Sequence, residues 1–277
     1  MKTALLQITS SDDPAANLQT VTAMIREAAG QGAGFVLTPE VTNCVSASRT
    51  RQEDVLALPE DDIFLKAMPE LCRDLGIWLL IGSLGVKTSD PDGRFANRSV
   101  LMAPDGAQVA WYDKIHMFDV QVSETETYRE SAGYRPGTRA VVADAGFARI
   151  GLTVCYDVRF PRLHRTLAQA GAQVLTCPAA FSPVTGAAHW ESLLRARAIE
   201  TGCWVLAPAQ CGTHEATRGR ARSTHGHSLA IAPWGEVVLD MGTDPGIGYV
   251  DLDVAQVDGA RSKVPSLDHD RDFTLEA

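Results

Sequence analysis

The chain has 277 residues, 45% of them hydrophobic and 21% charged, which is ample for a large core and excludes a disordered or fibrous protein. A formal net charge of -9 argues against a nucleic acid partner, because a phosphate backbone needs clustered Lys and Arg. No stretch approaches the roughly 18 apolar residues that span a bilayer, so no membrane partner is expected either.

Met1 to Ile8 is too short in its apolar part for a secretion signal and reads as a first strand. Asp12 or Asp13 then caps a helix entered through Pro14, with Leu18, Val21, Met24, Ile25 and Ala28 at helical spacing and Gly30 and Gly32 to stop it. Gly34 to Leu37 is a short buried strand that leads into Thr38-Pro39-Glu40. Phe64 to Leu75 reads as a helix stopped by Gly76, and Ile77 to Ile81 as a fully apolar strand. Arg98 to Ala103 and Gln108 to Tyr112 flank Pro104-Asp105-Gly106 as a hairpin, and Lys114 follows directly.

Ile115 to Thr138 shows no periodicity and carries Asp119, Glu124, Glu126 and Glu130. A loop that long inside a compact domain is usually functional or disordered. Strands resume at Arg139 to Val142 and Phe147 to Val154. A helix over Arg162 to Ala170, a strand over Ala172 to Cys177 and an amphipathic helix over Ala187 to Glu200 follow. Cys203 to Ala207, Ser228 to Ala232 and Glu236 to Asp240 are further strands, and the polar tail from about 255 reads as an irregular arm. Strands alternating with helices, interrupted by hairpins, indicate an α/β sandwich of mixed sheets. No repeat or linker divides the chain, so residues 1–277 read as one domain.

Three reactive side chains, Glu40, Lys114 and Cys155, each stand just past the carboxyl end of an expected strand, where α/β sheets place their ligand crevice. Their chemistry is complementary. Glu takes a thiol proton and returns it to a leaving amine, Lys supplies positive charge to an oxyanion, and Cys attacks a carbonyl carbon. Cys155 lies between a β-branched run and Pro161, which can open a helix, and such a junction lowers a thiol's pKa. The other cysteines (44, 72, 177, 203, 211) form no CxxC pair and read as free thiols of a cytoplasmic protein, with no metal site. Asp157 and Arg159 read as an ion pair holding the turn after Cys155. His116, His189, His225 and His227 read as structural histidines, and Trp190 and Trp204 as core. No GxSxG surrounds Ser228, and no GxGxxG or Walker pattern supports a nucleotide.

Pro39-Glu40, Tyr112-Asp113-Lys114-Ile115-His116 and Cys155-Tyr156-Asp157-Val158-Arg159-Phe160-Pro161 resemble, in order and spacing, the three signatures of the nitrilase superfamily of carbon–nitrogen hydrolases. The resemblance implies a four-layer α-β-β-α sandwich, a homodimer or higher homo-oligomer, a Cys155–Glu40–Lys114 triad and no cofactor. It also implies that Glu130 holds Lys114 and orients the scissile amide.

The segments Phe181 to Glu191, Leu194 to Glu200, Ala209 to His214 and Gly226-His227-Ser228 are similar to the Nit branch. Within it the last two segments favour the subgroup acting on deaminated glutathione, a tripeptide-like 2-oxo acid, over the ω-amidases. The expected reaction is hydrolysis of a small linear amide through a Cys thioester. Tyr156, Arg159 and Arg195 are the expected substrate contacts, with Arg197 and the Arg218 to Arg222 run as further available cations. An ω-amidase, an N-carbamoyl amino-acid hydrolase, a nitrilase or a catalytically idle interaction module are the alternatives.

Overall fold

In the computed structural model, which describes residues 1–122 and 127–276, the chain opens with β1 (Lys2–Gln7), α1 (Pro14–Gly30) and β2 (Phe35–Leu37). α2 (Arg49–Val55), α3 (Ile63–Leu75), β3 (Trp78–Val86), β4 (Ala96–Met102) and β5 (Gln108–Asp113) follow. A small hairpin of β6 (Asp119–Gln121) and β7 (Thr127–Arg129) ends the first half. The second half runs β8 (Val141–Asp144), β9 (Arg149–Leu152), α4 (Pro161–Gln169), β10 (Val174–Thr176), α5 (Pro183–Thr201) and β11 (Trp204–Ala207). After it come β12 (Cys211–His214), β13 (Arg222–His225), β14 (Leu229–Ile231), β15 (Val237–Asp240), β16 (Gly246–Asp251) and α6 (Ala255–Lys263).

Two mixed sheets result, ordered β16-β1-β2-β3-β4-β5 and β15-β14-β11-β10-β9-β8. Each is parallel at its centre, through β1-β2-β3 and β9-β10-β11, and antiparallel at its edges. The two-residue period of a strand decides which neighbour each side chain meets. Leu5, Phe35, Leu37, Leu80 and Leu101 point into one core shared with Ile150, Leu152 and Val174 of the second sheet. Their neighbours Ala4, Leu6, Val36, Leu79, Ile81, Val100 and Met102 point the other way, onto Val21 and Ile25 of α1 and Phe64, Met68 and Leu71 of α3. Leu163 and Leu167 of α4 and Trp190, Leu194 and Ala198 of α5 cover the second sheet's far face. The molecule is therefore a four-layer α-β-β-α sandwich. No helix among the described residues is long and apolar enough to cross a membrane.

The helix signals work as local chemistry. Asp13 accepts from Ala15 and Ala16 N–H at the start of α1, and Gly76, at φ 64°, closes α3. Several elements carried no such signal. α2 buries only Gln52, so it lacks an apolar period, and its start depends on Ser48 accepting from Arg51 N–H. α5 begins at Pro183, four residues before the expected start. Gly186 within it is accommodated because the His225 ring sits 2.3 Å from where a Cβ would be. The tail is not irregular from 255: α6 occupies Ala255–Lys263 and buries Val257 and Ala260. Of the long acidic loop, Asp119 and Glu130 lie in or just after the small hairpin, while Glu124 and Glu126 fall outside the described residues.

Strand ends from both sheets meet at Gly82. A Cβ there would stand 1.8 Å from Thr38 O, 2.5 Å from Pro39 O and 2.6 Å from Pro178 Cβ, and the Gly82 N–H donates to Thr38 Oγ1 at 3.0 Å. Two of those contacts are rigid backbone atoms just ahead of Glu40, so relief requires moving them. Gly82→Ala should therefore cost about 2–4 kcal/mol in stability, read as a lower urea midpoint. A midpoint within experimental error of the wild type would show that the loop carrying Glu40 yields freely.

Candidate active site

Glu40 ends the β2 loop, with Val41 behind it at φ 45°, a left-handed conformation costly for a β-branched residue. Val41 is held by its N–H donating to Ser83 Oγ at 2.8 Å, and Gln210 Nε2 donates to Glu40 O at 3.0 Å. The Glu40 carboxylate thus enters the interior with fixed partners. Oε1 accepts from Lys114 Nζ at 3.0 Å and Asn97 Nδ2 at 2.9 Å, and Oε2 accepts from Ala180 N–H at 2.8 Å.

Lys114 follows β5, whose direction matches β3, so its side chain arrives at the same end of the sheet. It is 2% exposed, and its ammonium also donates to both oxygens of Glu130 at 2.9 and 2.8 Å. Glu130, in a 3₁₀ turn after β7, is fixed in turn by Phe118 N–H donating to Oε2 at 2.6 Å. Burial draws the Lys114 ammonium's pKa down, but Glu130 and Glu40 outweigh it and raise it well above the usual value. Burial pushes Glu40 up, yet Lys114, the Cys155 thiol and, last, Arg222 hold it below the usual carboxylate range.

Cys155 lies beyond β9 and opens a 3₁₀ turn, Cys155–Arg159, at φ 52°. Its N–H donates to Pro178 O at 2.9 Å, and its thiol lies beside Glu40, close enough for that charge to act on it. The expectation of a lowered thiol pKa is overturned. Burial, then the Glu40 charge, raise Cys155 well above a free cysteine, and α4 begins only at Pro161, so its dipole does not govern the sulfur. Protonated thiol, ionised carboxylate and ammonium therefore stand in contact. That arrangement can transfer a proton from sulfur to carboxylate as the sulfur forms a bond, with positive charge waiting beside the reacting carbon.

Asp157, fully buried, holds the turn. It accepts from Val154 N–H at 2.9 Å, Tyr112 Oη–H at 2.7 Å and His116 N–H at 3.1 Å, and His116 Nδ1 lies 2.7 Å away. The His116 ring stacks on Phe160 at 3.5 Å between centroids. Asp157 is thus a structural acid, but its partners are not Arg159, and the expected ion pair is absent. Arg159 instead turns outward, its Nη2 3.3 Å from His189 Nδ1 and its guanidinium over Tyr156 and Phe181. Tyr156 meets the rings of Phe118 and Phe160 edge-on beside Cys155.

Arg195 does not join this group. Midway along α5, it donates to Gly235 O at 3.0 Å and pairs with Glu191 on the exposed helix surface. Arg197 is spent on Val158 O and Glu200. Gln210 and His214 are framework: Gln210 ties Ser10 to Glu40, and His214 bridges Ser10 O and Thr224 Oγ1. Trp190 and Trp204 are core. Sequence reasoning missed Asn97, which bridges Glu40 and Glu130 from β4, because a strand Asn carries no local mark. It also missed Arg222 as an individual: hidden in a basic run, it donates Nη2 to Ala180 O beside Glu40. Among the described residues no cluster of three or more His, Cys, Asp or Glu is placed to hold a metal.

The sequence matches the family model described as Carbon-nitrogen hydrolase over residues 2–262. It is 38% identical over 269 residues to a protein of Synechocystis sp. named deaminated glutathione amidase, covering 96% of each chain. The Caenorhabditis elegans NitFhit protein is similar in structure with TM-score 0.87 and 34% identity, over 98% of this chain and 65% of that one. A mutant amidase from Nesterenkonia sp. AN1, solved with acrylamide added at its active-site cysteine, superposes with TM-score 0.76 and 26% identity over 96% and 98%.

The geometry makes the Glu40 charge a direct influence on Cys155. Removing that anion while Lys114 stays should favour the thiolate. In Glu40→Gln the pH midpoint of Cys155 alkylation by iodoacetamide should therefore fall below the wild-type midpoint, followed by mass spectrometry of the labelled peptide. A midpoint that rises or stays put would mean that the carboxylate does not face the sulfur.

Proposed function

Because the chain belongs to the carbon–nitrogen hydrolase family, an amide-cleaving enzyme class, we propose that Cys155, Glu40, Lys114 and Glu130 form its catalytic site and that deaminated glutathione is its substrate. The observation that carries this reading is one buried cluster: the Cys155 thiol beside Glu40, and Glu40 3.0 Å from Lys114 Nζ.

Glu40 accepts the thiol proton as sulfur attacks the amide carbon, and the carbonyl π pair moves onto oxygen. Lys114 directs its three N–H donors to Glu40 Oε1 and the two Glu130 oxygens, and one of the pair on Glu130 turns to that oxyanion as it forms. Tyr156 N–H is the second donor. At the start of the 3₁₀ turn it has no earlier intrahelical acceptor, whereas Cys155 N–H is occupied by Pro178 O and Asp157 N–H by Val154 O. As the tetrahedral intermediate collapses, Glu40 gives its proton to the leaving nitrogen, the C–N bond breaks and a thioester remains. Water, deprotonated by Glu40, attacks the thioester. The C–S bond breaks, and the sulfur recovers its proton from Glu40. Glu130 keeps Lys114 fixed throughout.

The relatives' shared name and the cations at the site support an anionic 2-oxo acid amide. Arg159, at the outer edge, is the proposed contact for the peptide end of such a substrate. Six free thiols suit the reducing cytoplasm. Ile199 of α5, Trp234 in the turn after β14 and Val264 at the end of α6, at 56%, 54% and 55% exposure, offer apolar surface suited to a homodimer.

Cys155→Ala should abolish turnover with the fold intact by circular dichroism, and Glu40→Gln and Lys114→Ala should each lose at least about a hundredfold in kcat/KM. Substantial residual activity in Cys155→Ala would overturn the assignment. Glu40 is held below the usual carboxylate range, so kcat/KM should stay level through mildly acidic pH on its account. It should fall only where protonation finally removes the base.

In a competition assay deaminated glutathione should be cleaved with higher kcat/KM than 2-oxoglutaramate, and both better than an aliphatic nitrile. Preference for 2-oxoglutaramate would move the protein to the ω-amidases.

A further inference from the structure

Asn97 stands near the start of β4, opposite Gly85 of β3, and is buried. Side chains alternate along a strand, so Asn97 shares its face with Leu101, which lies in the core between the sheets. Arg98 turns to the other face and pairs with Asp113. The inward face puts Asn97 among the ionised groups of the site. Its backbone O accepts from Lys114 N–H at 2.9 Å, and its Nδ2 donates to Glu40 Oε1 at 2.9 Å and to Glu130 Oε1 at 3.4 Å. Lys114 Nζ donates to the same two oxygens at 3.0 and 2.9 Å. The four groups close a ring in which two carboxylate oxygens alternate with an ammonium and an amide. One neutral residue thus touches all three charged ones.

Only the donor half of the Asn97 amide is used. Its Oδ1 is buried and has no hydrogen-bond partner among the described residues, and a buried carbonyl without a donor costs free energy. The opposite orientation of the amide would set Oδ1 against the two carboxylate oxygens, so the neighbours fix which way it points. A site that tolerates an unpaired carbonyl to keep one NH2 group between two anions has a use for those donors beyond packing. Electrostatics supplies one. Two carboxylates that converge on a single ammonium leave one negative charge unbalanced, and carboxylates that share a site tend to keep a proton between them. A carboxyl that already holds a proton cannot accept one from a thiol.

We propose that Asn97 is a positioning residue for the general base: its NH2 group, bridging Glu40 and Glu130 alongside Lys114, keeps Glu40 ionised and aimed at Cys155. This inference rests on the amidase reading above. Without the amide donors, Glu40 retains Lys114, Ala180 N–H and the charge of Arg222 against the repulsion of Glu130 and its own burial. The balance then moves toward the protonated acid. The other titratable groups that face Glu40 do not change charge in that range. Burial holds the proton on the Cys155 thiol and the Tyr134 hydroxyl, and the two carboxylates hold it on Lys114.

Asn97→Leu removes the donors and keeps the volume, and Asn97→Ala removes both. In each variant the acid limb of kcat/KM for deaminated glutathione should move to higher pH by about one unit. That is about a tenfold gain in proton affinity, as loss of a hydrogen bond to a charged group produces. The same displacement should appear without turnover. In a Cys155→Ala background with carbon-13 in the glutamate carboxyls, the NMR titration midpoint of Glu40, identified by its loss in Glu40→Gln, should rise by a similar amount when Asn97 is replaced as well. A limb or a midpoint that stays at its wild-type pH, whatever the loss in rate, would overturn the inference and leave Asn97 as packing. A shift in Asn97→Ala alone would overturn it too, because the effect would then follow the cavity and not the donors. Failure of both variants to fold would make Asn97 a strut of the sheet, which also overturns it. A wild-type protein that hydrolyses none of the amides named above would instead refute the amidase reading, and the carboxyl titration would still decide whether Asn97 holds Glu40 ionised.

Discussion

One ammonium with almost no solvent around it constrains everything else in the site. Lys114 is 2% exposed and can stay charged there only because Glu40 and Glu130 stand within 3.0 Å. Removing charges from water costs several kcal/mol per ion, and that cost is offset only by tight pairing and full hydrogen bonding. Each carboxylate is accordingly saturated, by Asn97, by Ala180 N–H and by Phe118 N–H. Four separate loops must converge within hydrogen-bond reach, or the ammonium would be left unpaired. The precision that proton transfer needs thus follows from the electrostatics of burying the group at all.

The same economy governs the thiol. Cys155 occupies a backbone conformation that non-glycine residues rarely adopt, and the turn is pinned from below by Asp157, Tyr112 and His116. The Lys114 charge favours a free thiolate, but it is outweighed. Burial and the adjacent Glu40 keep the proton on sulfur. In the proposed reaction the thiol is activated by a partner rather than by a helix dipole.

Arginines around the site divide by what they already hold. Arg195 and Arg197 are committed to Glu191, Glu200 and backbone carbonyls, whereas Arg159 and Arg222 have no carboxylate among the described residues. An acidic protein can still bind an anion because recognition depends on the few cations near the reacting atoms, not on the sum over the surface.

Read from the sequence alone, Glu40, Lys114 and Cys155 each stood past a strand, and Asp13, Pro14 and Gly76 marked helix ends, because such signals act between residues close in the chain. Alternating strands and helices also sufficed for the layered fold. What the sequence could not carry was contact between distant segments. Asn97 between two glutamates, Gly82 against Thr38 and Pro178, and Arg222 against Ala180 join residues up to 96 positions apart. Arg195 and Arg159 illustrate the same point from the other side: identical cations in sequence, one paired on a helix surface and one over aromatic rings. The direction of the thiol's pKa shift was likewise a tertiary matter. Local sequence places a cysteine before a helix, but burial and the charge brought against it from β2 decide which way its proton is held.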